Sequence, residues 1–165
     1  MSMLPVRKIV GATDFSIAGY PAVTTAGELA AHFGAELVLV HVLASPPMPP
    51  MVPSERMATV PSSAEVERYQ RDEERQARQN LERLVAENLP SGLTCGIRVL
   101  VGSAAEAIVG LAQDEAADLI VIATHGRSGW RRLAFGSVAD KVVRTATCPV
   151  LVVPSPAQTQ SSSDR

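Results

Sequence analysis

An α/β fold, with an open and mostly parallel five-stranded sheet and helices on both faces, follows from three features of the sequence. Five short runs rich in β-branched residues recur: Lys8 to Ala12, Glu36 to Leu43, Thr94 to Val101, Leu119 to Ala123 and Val150 to Val153. The first four are nearly continuous in apolar residues, as strands covered on both faces are. Helical patterns fill each gap, so the order reads β-α-β-α-β-α-β-α-β and requires right-handed crossovers.

Each helix has its own marks. In the first, Val23, Ala26, Ala30 and Phe33 follow the 3.6-residue period and Gly34 is the stop; Pro21 implies a late start or a kink. The second is long and charged, with Val66, Tyr69, Ala77, Leu81, Leu84 and Val85 on one face. Ser62 to Glu65 reads as its capping box and Glu74 to Arg78 as a supporting i,i+4 pair. Ser103 to Glu106 opens the third, with Ala107, Ile108, Leu111 and Ala112 inward. Ser137 to Asp140 opens the fourth, with Val138, Val142 and Val143 inward.

At 165 residues, 46 % hydrophobic and 19 % charged, the chain can bury one full core, so a single domain over residues 1–153 is expected. Its net charge of −2, with both signs interspersed, supplies no general attraction to nucleic acid or anionic membrane. The two cysteines, Cys95 and Cys148, have neither disulfide density nor metal spacing and are expected as buried free thiols. No segment reads as a signal peptide or a membrane span, and a soluble cytoplasmic protein is expected. Residues 44–63 hold six of the twelve prolines, with Met48, Met51 and Met57; this stretch reads equally as a flap or docking loop and as disorder. Residues 154–165 read as a flexible polar tail.

In a doubly wound sheet, ligands bind beyond the strand C-termini where the winding reverses. That geometry brings together the loops after strands 1 and 4. In the first loop, Asp14 reads either as an acceptor for a diol such as a ribose or as an N-cap for the following helix. The second runs through Gly126, Gly129 and Gly136 to Ser137, at a helix start, and suits a phosphate through close backbone approach and unpaired N–H donors. The alternative is a capping serine with turn glycines. Arg127, Arg131 and Arg132 add positive charge there, as phosphate clamps or as solvated surface. Trp130 is a contact or a packing residue. His125 has no carboxylate or cysteine at catalytic spacing, His41 reads as a satisfied sheet-end residue, and His32 as helix surface. Neither a Walker loop nor a G-x-G-x-x-G after strand 1 is present, and no metal site assembles from local spacing.

The segments KIVGATDFS, ELVLVHV, ADLIVIATHGRSG and LAFGSVADKVVRTATCPVLVV together resemble the universal stress protein family over residues 6–153. The resemblance implies a Rossmann-like sheet of order 3-2-1-4-5. It also implies a homodimer through the last strand, Val150, Leu151, Val152 and Val153, which fits a short apolar edge needing a partner. The ATP-binding branch carries a motif of Gly, two residues, Gly, nine residues, Gly and Ser or Thr. Here the second Gly is Gly126, the nine residues run Arg127 to Phe135, and the closing pair is Gly136 and Ser137. By that likeness these three hold the phosphates, Asp14 the ribose, and Ala12, Thr13 and the Val42 backbone the adenine. Arg127, Gly129 and Val138 complete the cofactor set.

Ala123 stands where the motif has its first Gly, and its effect depends on the backbone. A positive φ would cost roughly 1 to 2 kcal/mol and crowd the ligand, whereas β dihedrals would tolerate the methyl. The function implied is ATP binding, with Mg²⁺, in a stress-response protein whose nucleotide occupancy modulates partners. The donors suit binding more than turnover. Slow ATP hydrolysis or phosphoryl or adenylyl transfer, and a nucleotide-free interaction module, are the alternatives.

Overall fold

The computed structural model describes residues 5–44, 63–124 and 136–155. Five strands, β1 (Lys8–Ala12), β2 (Glu36–Leu43), β3 (Cys95–Val101), β4 (Leu119–Ala123) and β5 (Val150–Val153), form one sheet of order β3-β2-β1-β4-β5. All four pairings are parallel. Four helices connect the strands: α1 (Tyr20–Phe33), α2 (Ser63–Asn88), α3 (Ala104–Asp114) and α4 (Ser137–Thr145).

Alternation along the strands divides the core in two. Val10, Ala12, Val38, Val40, Ile120 and Ile122 pack with Ala105, Ile108, Ala139 and Val142 of α3 and α4. Ile9, Leu37, Leu39, Leu119 and Val121 turn the other way, onto Ala22, Val23, Ala26 and Ala30 of α1 and Leu81 and Leu84 of α2. Gly11 lies where α1 crosses β1. A Cβ there would come within 2.8 Å of Leu39 Cδ2 and 3.3 Å of Ala26 Cβ, so the close approach of helix to sheet depends on its missing side chain.

Several helix details depart from the sequence reading. Pro21 neither delays nor kinks α1: it occupies the first turn, where a missing N–H costs nothing, and a 3-10 turn at Ile17–Gly19 leads into it. Gly34 ends α1 at φ +64, as expected, with Ala35 N donating back to Ala30 O at 2.9 Å. Phe33, Tyr69 and Val143 extend their helical periods past the sheet and are exposed, while Ala105 and Val109 join Ile108 in the core instead of Ala107. On α2 the ion pairs among the described residues are Arg71 with Glu67 and Arg75 with Asp72, not Glu74 with Arg78. Ser62 of the expected capping box lies outside the described residues. Ser103 does cap α3 by position, but its hydroxyl makes no bond to the helix backbone.

The strand N-termini are closed by charge. Asp118 Oδ2 accepts from the N–H groups of Arg7 and Lys8 at 2.7 and 3.0 Å, joining β4 to β1. Lys8 pairs with Glu115 at 2.8 Å and Glu36 at 3.2 Å, and Arg98 pairs with Glu115 at 2.8 Å. Those hydrogen bonds raise the Lys8 pKa, and the two cations, Lys8 foremost, hold the Glu115 carboxyl below its usual range. Cys95 and Cys148 are free and half-buried; burial pushes the Cys95 thiol up to about 11 and that of Cys148 upward too, so neither is a ready thiolate.

Candidate functional site

The winding reverses between β1 and β4, and a cavity of about 280 Å³ opens there at the strand C-termini. Its walls are largely apolar: Ala12 from β1, Val40 and Val42 from β2, Ile122 and Ala123 from β4, and Ala104 and Ile108 from the start of α3. Thr13 and Asp14 form one rim. Gly136, Ser137, Val138 and Ala139, entering α4, form the opposite one. Eight residues singled out from the sequence, Ala12, Thr13, Asp14, Val42, Ala123, Gly136, Ser137 and Val138, therefore meet in one crevice. Gly126, Arg127 and Gly129 lie outside the described residues, as do His125, Trp130, Arg131, Arg132, most of the Pro/Met-rich segment and residues 156–165.

The loop after β1 is tightly knit. Thr13 N donates to Val40 O at 3.0 Å, and the Thr13 hydroxyl oxygen accepts from Phe15 N at 3.1 Å. Asp14 Oδ1 accepts from Ser16 N at 3.0 Å and Ser16 Oγ at 2.6 Å. Ser16, not Asp14, caps the following 3-10 turn, its Oγ accepting from Gly19 N at 3.1 Å. Of the two sequence readings of Asp14, the helix cap thus passes to Ser16. Phe15 adopts φ +61, which costs a side-chain-bearing residue roughly 1 to 2 kcal/mol. Its ring packs on that of His41, with centroids 4.3 Å apart.

Thr124 organises the other loop. Its N–H donates to Val153 O at 2.9 Å, and its carbonyl accepts from Gly136 N at 2.7 Å, so the chain leaving β4 and the chain entering α4 meet at one peptide. Its hydroxyl oxygen accepts from Ser155 N at 3.0 Å, which docks the first residues of the segment expected to be a free tail. Gly136 is the N-cap of α4 at φ −56 and ψ 152, a conformation open to any residue, and Ser137 is the first helical residue rather than the cap. Gly136 therefore does not make a left-handed turn. The N–H groups of Ser137, Val138 and Ala139 have no partner within the helix and face the crevice end of the dipole. Asp140 N closes the first turn onto Gly136 O at 3.0 Å.

Ala123 is the last residue of β4, in register with Val153, and does not have positive φ. Its methyl thus meets the tolerable branch of the expectation. Outside the crevice, Lys141 on α4 donates to Glu106 on α3 at 2.7 Å and holds that carboxyl below its usual range, linking the two helices that contribute Ala104, Ile108 and Ser137 to the wall.

Half of the lining was missed from sequence, His41, Val40, Ile108 and Ala104 among it. For His41 a signal existed: it is the one polar interruption in the apolar run Leu37 to Leu43. For Ala104 and Ile108 none did, because α3 reaches the crevice from a strand two places away in the sheet.

A family model described as universal stress protein family matches residues 5–154. Universal stress protein MJ0531 of Methanocaldococcus jannaschii is 33 % identical over 150 residues, 91 % of this chain and 83 % of that protein. The chain belongs to the universal stress protein family. Among solved structures, MJ0577 of Methanocaldococcus jannaschii aligns with a TM-score of 0.68 at 26 % identity, covering 92 % of this chain and 97 % of that one. A universal stress protein solved in complex with cAMP shares the fold at a TM-score of 0.60 and 24 % identity, over 92 % and 98 % of the two chains. The sheet order read here is the one expected for the family. No helix among the described residues is long and apolar enough to cross a membrane.

Proposed function

We propose that this universal stress protein binds an adenine nucleotide of the ATP type and that occupancy alters its contacts with partners. One observation carries the reading: an apolar slot, a carboxylate and a helix N-terminus converge at the switch point of the sheet. In the proposed pose the base lies between Ala12, Thr13 and Val42. The ribose hydroxyls donate to Asp14, and the phosphates face the N–H groups that open α4, with Gly126, Arg127 and Gly129 completing the cradle. At about 280 Å³ the described cavity lies just below the ~300 to 1,000 Å³ usual for small-molecule sites, a size suited to a nucleoside with its phosphates reaching the rim.

Magnesium would enter on the phosphates. Mg²⁺ keeps several waters and needs only one or two protein carboxylates beside phosphate oxygens. A homodimer is part of the proposal: β5 lies at a sheet edge with Leu151 exposed, and pairing with a second copy would satisfy its open backbone groups.

Titration calorimetry of nucleotide-stripped protein with ATP and Mg²⁺, with ADP and cAMP alongside, tests the reading. Binding that is weakened by Asp14→Ala and by Gly136→Val, whose bulk would fill the mouth of the crevice, is the expected outcome. No heat with any of the three ligands would sink it.

A further inference from the structure

A bulky residue at positive φ persists only where its surroundings over-determine it. Phe15, next to Asp14, is such a residue, and it is held by its N–H on the Thr13 hydroxyl oxygen and by its ring on His41. His41 also lies 2.8 Å, through Nδ1, from the carbonyl oxygen of Thr13. A carbonyl only accepts, so Nδ1 carries the proton and donates. His41 thus grips the residue before Asp14 and the residue after it.

The grip comes from a rigid element. His41 belongs to β2, in register with Val99 of β3, and its neighbours Val40 and Val42 line the same cavity. Ser16 donates to Asp14 Oδ1 from two residues on, which ties the carboxylate to its own loop. Contacts that cross from the loop to another strand set that loop's place relative to the sheet, where the base would lie. Thr13 N on Val40 O is one such contact, and the two made by His41 are others.

We propose that His41 is a positioning residue for nucleotide binding: by holding Thr13 and Phe15 it aims the Asp14 carboxylate at the ribose diol. The proposal rests on the nucleotide reading above and adds a residue and a measurable specificity to it. His41 touches neither reacting atoms nor, by this account, the ribose; its effect passes through Asp14.

The test compares ATP with 2′,3′-dideoxy-ATP on the full chain, because only ATP offers the diol. Wild-type protein is expected to prefer ATP, and Asp14→Ala to abolish the preference. His41→Phe keeps a ring against Phe15 but removes the donor, and should reduce the preference by roughly three- to tenfold, the range of one hydrogen bond. His41→Asn, whose amide can donate from nearly the same place as Nδ1, should restore most of it. Equal weakening of both nucleotides in His41→Phe, or no change, would overturn the proposal while leaving the nucleotide reading intact. A wild-type protein that binds neither ligand overturns both, whereas a protein that binds ATP with no preference over the dideoxy form, or whose preference survives Asp14→Ala, overturns the His41 proposal alone. Should His41→Phe fail to fold, Phe15→Leu removes the ring contact instead, and an undiminished ATP preference there counts equally against the proposal.

Discussion

Replacing Ala123 by glycine would restore the residue found in the family's nucleotide motif, and the structure predicts that the change brings no benefit. Ala123 ends β4 with strand geometry and a half-buried methyl packed toward Leu119 and Val121's side of the sheet. Glycine in a strand costs about 0.5 to 1 kcal/mol in backbone entropy. Losing a half-buried methyl adds roughly 0.4 kcal/mol, half of the ~0.8 for a fully buried group. The total of about 1 to 1.5 kcal/mol corresponds to a fall in Tm of roughly 2 to 6 °C for a domain of this size. Urea and thermal unfolding of Ala123→Gly measure that loss, and calorimetry with ATP measures affinity, which should change by less than about threefold, below the effect of one ordinary hydrogen bond. An affinity gain of tenfold or more would refute the reasoning, since it would mean that the methyl obstructs the ligand.

Other perturbations address the frame. Gly11→Val should destabilise the fold by about 1 to 3 kcal/mol in urea unfolding, because its Cβ would sit 2.8 Å from Leu39 Cδ2; an unchanged midpoint would mean that α1 can lift off the sheet freely. Glu115 has a folded pKa below its unfolded value, so its contribution is present above the unfolded pKa and lost as pH falls through the folded one. Glu115→Gln should accordingly flatten the acid limb of the stability profile, whereas Lys8, whose pKa is raised, contributes below its unfolded pKa and loses that contribution as pH rises through the folded one. For the proposed dimer, Val152→Lys should give monomer in sedimentation, but Val152 also packs toward α3 and α4. Leu151→Lys, on the exposed side of β5, should give the same result with less damage to the core, and a persistent dimer would move the interface elsewhere.

The sheet was legible because parallel strands bury both faces. Four of the five strand spans were read to the residue, and β3 differs only in starting at Cys95 instead of Thr94. Helix faces were less legible because periodicity does not say where the sheet beneath ends. Tyr69 and Val143 keep the apolar rhythm yet are exposed, and on α3 the buried face is the regular set Ala105, Ile108, Val109 and Ala112, with Ala107 turned partly away from it. In the crevice, Asp14 was legible from its place just past a buried strand, whereas Ala12, which ends β1, and Thr13 were reached only through the family resemblance. The α4 cap was misplaced by one residue because Gly136 is tied to the Thr124 carbonyl, a bond across sequence that no local pattern announces. His41 was read as satisfied, which it is, but its partner is the backbone of the loop carrying Asp14.

The bond between Gly136 N and Thr124 O has an evolutionary corollary. It joins the end of β4 to the start of α4 directly, and both ends are also secured by other bonds, Thr124 N to Val153 O and Asp140 N to Gly136 O, so the frame does not depend on what stretch of chain runs between them. Doubling the length of such a closed loop costs only about 0.6 kcal/mol in chain entropy. A lineage could therefore lengthen, shorten or rewrite that stretch, and so change which ligands are accepted, at little risk to the core. Transplanting the segment from a relative between Thr124 and Gly136 would be the laboratory version of that history.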